Sequence, residues 1–177
     1  MLFSLALVAV LGLTIVILRA NGADLGFNGF ATDRAGRLFL GKTEQIEVLQ
    51  GEEIAFTIPT GKHYAFTIRN GYLHVTDAET VKIMDLSGNT VTQAIDDNGR
   101  EYDTLAAGRE RFTNAEGTTY VRKHSFFTRD QILNEADGSP IYTLPVKDYC
   151  LRLSYPLLAL SALLLIWNVL RYFAKRK

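Results

Sequence analysis

The distribution of apolar and polar positions divides the chain into three parts. Residues 1–18, MLFSLALVAVLGLTIVIL, and residues 153–170, LSYPLLALSALLLIWNVL, contain no charged side chain. As a helix each run reaches roughly 27 Å, close to the ~30 Å hydrocarbon core of a bilayer. A lone apolar segment satisfies its backbone in lipid only as a helix. The pattern predicts transmembrane helices over 1–19 and 153–173 and a basic tail over 174–177. The stretch between them alternates at period two through short runs rich in Thr, Val, Ile, Tyr and Phe, and Gly, Asn or Asp breaks it at intervals of roughly 8–12 residues. That predicts an all-β domain over 20–150 built from short strands.

The alternation carries a repeat. At an offset of 35 residues Gly36 meets Gly71, Leu38 meets Leu73, Leu40 meets Val75, Ile46 meets Val81 and Val48 meets Ile83. After a short gap Gly51 meets Gly88 and Ile54 meets Val91. A fainter third copy follows Gly117, with the turn Asp137-Gly138 leading to Ile141. Within each strand Leu38 and Leu40, or Leu73 and Val75, are expected on one face, and Arg37 and Phe39, or Tyr72 and His74, on the other. One such unit cannot bury its apolar face alone, so the units must pack. Residues 93–116 break the rhythm and predict a long charged loop, with a short helix over Tyr102–Ala107.

The stretch DRAGRLFLG (33–41) with IEV (46–48), and VKIMDLSG (81–88), resembles the blades of β-propeller repeat proteins of the NHL and regucalcin-like kind. In that family an Asp-x-x-Gly turn opens a strand and a second one closes a hairpin. The resemblance is clearest over 28–95 and weak over 115–145. It implies propeller-like meander units. Propellers close with about four to eight blades, and this chain has room for about three. The forms it implies are an open arc, a small sandwich, or a ring completed by a second chain.

Charge adds topology. All 19 acidic residues fall between Asp24 and Asp148, with 13 of the 19 basic ones, so that segment carries 13 − 19 = −6. Phosphate contacts need a basic surface, so nucleic acid is excluded as the expected partner. The tail holds Arg171, Lys175, Arg176 and Lys177, and such clusters stay cytoplasmic. Both termini are then cytoplasmic in a two-pass cell-membrane protein, and residues 20–152 lie outside. The alternative for the first run is a cleaved signal peptide near Ala20-Asn21-Gly22-Ala23; against it stand the missing basic start and the length of the apolar run.

Candidate chemistry is sparse. Asp96, Asp97, Glu101 and Asp103 cluster in the charged loop as a possible interaction site. DDNGRE has the oxygens of a calcium turn without the distal Glu and flanking helices of a calcium-binding loop, and reads as an Asp-Asn-Gly turn. GKTEQ (41–45) lacks the glycine-rich loop of a phosphate-binding motif and reads as a hairpin connection. His63, His74 and His124 are dispersed, with His74 expected to face solvent. Cys150 has no second cysteine in the chain; it is open to pairing between chains, acylation, or plain packing. Asn168 is the strongly polar residue well inside the second run, placed to hydrogen-bond a partner helix. Pro156 is expected in the first turn of its helix, where its missing N–H costs little.

No catalytic set, metal or cofactor is implied. The expected function is a membrane-anchored, extracytoplasmic binding or scaffold module whose partners are the lipid bilayer and another protein or a second copy. The first alternative is an accessory subunit of a multi-protein membrane complex, in transport or secretion. The second is a surface enzyme, which would need carboxylates near Asp96–Asp103 converging with His63 or His124.

Overall fold

The computed structural model describes residues 2–77, 79–95 and 99–174. They form two compact units: Phe27–Thr143, and a second made of the residues up to Gly26 together with those from Leu144 onward. The first unit consists of three four-stranded antiparallel sheets. Sheet 1 holds β1 (Phe30–Thr32), β2 (Leu38–Gly41), β3 (Gln45–Gln50) and β4 (Glu53–Pro59). Sheet 2 holds β5 (Ala65–Arg69), β6 (Tyr72–Thr76), β7 (Thr80–Met84) and β8 (Thr90–Ile95). Helix α2 (Arg100–Ala107) then leads to sheet 3, with β9 (Arg111–Thr113), β10 (Thr119–Lys123), β11 (Gln131–Asn134) and β12 (Pro140–Thr143). Each strand pairs with its neighbours in sequence, and β1 lies against both β5 and β9.

The three sheets share one plan, and the first two share it down to the register. Leu38 faces Leu49 and Gly41 faces Ile46; 35 residues on, Leu73 faces Met84 and Thr76 faces Val81. Between its third and fourth strands every sheet carries a register shift, at equivalent positions after Val48 and Ile83 in sheets 1 and 2 and nearer the start of the third strand, after Ile132, in sheet 3. A bulge bends a strand and adds local twist. One turn recurs, joining the first and second strands of sheets 1 and 3 and the third and fourth strands of sheet 2. Asp33 Oδ1 accepts the N–H groups of Ala35 and Arg37, both at 2.9 Å, and Asp85 Oδ1 those of Ser87 and Asn89, both at 2.9 Å. Asn114 Oδ1 does the same for Glu116 (3.1 Å) and Thr118 (2.8 Å). In each, a glycine at positive φ (77°, 91° and 81°) closes the turn, a conformation that costs glycine little.

Two sequence expectations over this unit are corrected. Residues 93–116 are not one long loop: β8 runs to Ile95, α2 starts at Arg100, and β9 opens the third sheet at Arg111. The third copy therefore begins before Gly117. Its first strand, Arg-Phe-Thr, is too short to show a period. Strict alternation also fails in β2, where all four residues are buried. Sheet 1 is covered on both faces there, and Arg37, held by Asp33 at 2.7 Å, has its guanidinium carbon 5.8 Å from the Phe39 ring centroid.

The core gathers where the first strands meet, around Phe30, Ala31, Ala65, Phe66 and Phe112, all buried. Tyr64, just ahead of β5, reaches into sheet 1: its Oη lies 2.6 Å from the Gln45 carbonyl oxygen and 2.8 Å from that of Lys42. Its own carbonyl accepts from Arg109 Nη2 at 2.7 Å. Burial pushes the Tyr64 phenol well above its ordinary value of 10.0. A proton retained in the fold but lost by the unfolded chain gives a stabilisation that is complete below pH 10 and falls away above it. In Tyr64→Phe the β unit should lose about 1 kcal/mol near neutral pH and shed part of its alkaline sensitivity. Urea titrations at neutral pH and above pH 10 check both.

The second unit is an antiparallel pair of helices, α1 (Leu2–Ala20) and α3 (Val146–Ala174), both long and apolar enough to cross a membrane. Among the covered positions of α3, Leu151, Ser154, Leu158, Ser161, Leu165 and Asn168 follow three- and four-residue steps, as do Ser4, Val8, Leu11, Ile15 and Leu18 among those of α1. Such a seam lets two helices lie side by side, and small residues on it bring the backbones close. The serine hydroxyls are satisfied within α3: Ser154 Oγ donates to Cys150 O at 2.8 Å and Ser161 Oγ to Leu157 O at 2.7 Å. At one end of the pair Asn168 Nδ2 donates to Ser4 Oγ at 3.1 Å; at the other the Asp24 N–H donates to Asp148 Oδ1 at 3.1 Å.

Here the expected position of Pro156 is overturned. The helix starts at Val146, directly after Pro145, whose carbonyl accepts the N–H groups of Asp148 and Tyr149. Pro156 therefore stands in the helix interior. The apolar run starts at 153, but Asp148 and Leu151 already bury against the same seam, so helix and apolar run have different starts.

Candidate functional site

Three outer strands end the three sheets, and they are not equivalent. β4 contains Glu53 and Pro59, and β12 opens on Pro140. Charge and proline are the usual guards of an open sheet edge, since the first repels a pairing strand and the second withholds a donor. β8, Thr-Val-Thr-Gln-Ala-Ile, has neither, and all six of its residues are exposed. Among the described residues it pairs with β7 alone, which leaves one row of backbone donors and acceptors along an uncharged strand. Val91 and Ile95 stand out from it. Chemically this is a place where an extended peptide can add a strand.

A second concentration lies in sheet 3. The residues joining β2 to β3 are 42–44 and those joining β6 to β7 are 77–79, whereas the corresponding stretch between β10 and β11 runs over 124–130, His-Ser-Phe-Phe-Thr-Arg-Asp. Asp130 at its base is wholly buried. One oxygen, Oδ2, lies 2.8 Å from Arg122 Nη2 and 3.0 Å from His124 Nδ1. Arg122 is fixed further by Glu110 at 3.3 Å and by the face of Phe27, 4.3 Å from the ring centroid to its guanidinium carbon. A buried carboxylate needs such partners to be tolerated, and in gaining them it ties the two ends of the loop together. At the tip Phe126 and Phe127 are 52% and 84% exposed, their rings edge to face at 5.3 Å.

The residues singled out in the sequence are placed as follows. Asp96 and Asp97 lie outside the described residues. Glu101 accepts from Arg69 Nη1 at 2.8 Å, and Asp103 is exposed in the first turn of α2. Cys150 is an exposed free thiol on α3. Asn168 bonds to Ser4 of α1. Of the histidines, His124 meets Asp130. His74 is half-buried rather than solvent-facing, and burial, followed by the Arg69 charge, holds it below its ordinary range. Lys42 of the GKTEQ stretch lies buried in the β2–β3 connection, 3.9 Å from Glu47. Among the described residues no three His, Cys, Asp or Glu side chains gather where they could hold a metal ion.

Sequence reasoning passed over β8, the Asp130 cluster and the aromatic tip. The first was available as a strand free of charge and proline, and the last as a four-residue excess in one copy of the repeat. The burial of Asp130 had no local signal.

The described fold is thus three four-stranded antiparallel sheets flanked in sequence by two long apolar helices. No family model matches the chain, and no curated protein does. Among solved structures it is similar to a protein of unknown function from Bacteroides caccae, at 11% sequence identity and a TM-score of 0.34. The match covers 66% of this chain and 44% of the other, so the chain spans less than half the length of that protein. A likeness of this size assigns neither family nor activity.

Proposed function

We propose that this chain is a membrane-anchored docking module of the cell surface. In this reading α1 and α3 cross the bilayer as an antiparallel pair with both termini cytoplasmic. The propeller-like β unit stands outside and offers the β8 edge to an extended segment of another polypeptide or of a second copy. The observation that carries the reading is the unguarded state of β8 beside two outer strands that are guarded. The acidic pair Asp96–Asp97 follows β8 directly in sequence, so a partner strand flanked by basic residues suits it best.

The test is the mass and composition of the complex purified from native membranes in mild detergent, for the unaltered chain and for V91K/I95K. Both substitutions fall on exposed side chains, where stability changes stay within about 0.5 kcal/mol. The expected result is a stoichiometric second polypeptide, or a homodimer, that is lost in the variant. A lone monomer from the unaltered chain sinks the proposal.

A second reading, an accessory subunit of a transport or secretion complex, is favoured by the outer faces of the helices. Leu5, Leu13, Ile17, Leu160, Leu164 and Trp167 are all exposed and suit further helices as well as lipid. Co-purification of a polytopic partner that survives V91K/I95K would favour this reading over the first.

A further inference from the structure

We propose that the loop joining β10 to β11 is a lipid-interface anchor: Phe126 and Phe127 insert among the headgroups and upper acyl chains of the bilayer, with Lys123 and Arg129 on anionic headgroups. The proposal rests on the membrane reading of α1 and α3 given above and goes beyond the docking role of β8.

Four observations carry it. The tip is the apolar, aromatic part of an otherwise polar connection, and it is present in one copy of the repeat where the other two have short connections without an aromatic residue. It is built rather than slack, because Asp130 holds Arg122 and His124 at the loop's base while the two rings face water. Exposed aromatic side chains held in this way mark a surface that meets an apolar phase. Its exposed charges agree in sign: Lys123 and Arg129 are exposed and form no ion pair among the described residues, and the one carboxylate of the loop, Asp130, is buried and paired. The unit's acidic balance does not cancel this, since charge is felt over about 8–10 Å in physiological salt, and basic side chains at that range are drawn to anionic lipid.

The fourth observation is where the chain is tethered. It leaves β12 at Thr143, which faces Gln131, the first residue after the loop, and α3 begins at Val146. It enters the β unit at Phe27, whose ring packs 5.7 Å from that of Tyr142. Entry, exit and aromatic tip thus share one end of sheet 3, and the links to both apolar helices start there.

The experiment places a tryptophan at the tip of the full-length chain, F127W in a W167F background, reconstituted in phosphatidylcholine vesicles with and without phosphatidylglycerol. The acyl chains carry bromine near the headgroup end. The expected result is blue-shifted emission that the bromines quench, more strongly with phosphatidylglycerol present. K123E/R129E should abolish the gain from the anionic lipid. A Y72W probe, at the start of β6 and so at the other end of its sheet, should stay water-like and unquenched. F126W reads the neighbouring ring as an independent repeat of the test. Emission from F127W and F126W as red and as unquenched as from Y72W overturns the proposal. A blue shift without bromine quenching also overturns it, since that marks a protein neighbour. Native Trp167 reports on the helices separately. If it is quenched while F127W is not, the loop proposal alone falls. If it too is unquenched, the membrane reading falls and takes the loop with it.

Discussion

Replacing Gly41 by alanine should cost the β unit about 3 kcal/mol, at the upper end of what overpacking a core produces, and lower its melting temperature by roughly 10 °C. Gly41 ends β2 at a crowded crossing. A Cβ there would collide with Asn28 Oδ1, come within 2.8 Å of Phe66 Cε1 and within 3.2 Å of Tyr64 Oη. None of the three can yield cheaply. Asn28 Nδ2 is engaged with Lys42 O, Phe66 packs where the first strands meet, and the Tyr64 hydroxyl sits within hydrogen-bond reach of the Gln45 and Lys42 carbonyls. The glycine is there for room. Gly36→Ala tests a different cause: nothing lies within 4 Å of its Cβ, but φ is +77°, so its cost should be the smaller backbone strain of about 1–2 kcal/mol. Thermal unfolding of the full chain in detergent, followed by near-ultraviolet circular dichroism, compares the two. Equal losses would show that the crossing relaxes and the packing argument is wrong.

Arg122→Met should be the other severe change, at about 3–5 kcal/mol, because it leaves a buried carboxylate without its main partner. His124 remains beside Asp130, but its side chain is mostly exposed, and an imidazole that can stay in water compensates a buried charge less than a fixed guanidinium does. The double change R122M/D130N removes both charges together and should recover much of the loss. A double-mutant cycle by urea denaturation, with a coupling well above 1 kcal/mol, would establish that the pair acts as a unit. Additive losses would mean that Arg122 contributes through its stacking on Phe27 and its contact with Glu110 instead.

What the sequence made legible, and what it hid, follows from the range of the forces involved. The 35-residue offset survives in the pairing of Leu38 with Leu49 and of Leu73 with Met84, because turn chemistry and alternation are written within a few residues. The two apolar runs became two long helices for the same reason. β9 stayed hidden because three residues define no period. The start of α3 was masked by Lys147, Asp148 and Arg152, which look like a loop until Asp148 and Leu151 are seen buried on the seam. Phe39 was expected opposite the apolar face, and its burial depends on what the folded unit lays over that side of sheet 1. Of the candidate site, β8 could be read from composition alone. The pairing of Asp130 with Arg122 and His124 could not, since a hairpin brings them together and no local pattern marks a carboxylate that will lose its water.

The order in which the pieces can form is set by the simple pairing of the sheets. Every ladder joins strands adjacent in sequence, so contacts in the β unit are mostly local, and such topologies form quickly. Each sheet can assemble as its own residues leave the ribosome. Helix α1 is in the opposite position. It is made before the sheets, yet its partner on the Ser4–Asn168 contact is made only after all three of them. While the β unit is being made, α1 therefore waits without its mate. Chains that stop before α3 should carry finished sheets behind an unpaired helix, and it is that helix, with its exposed seam, that quality control would meet.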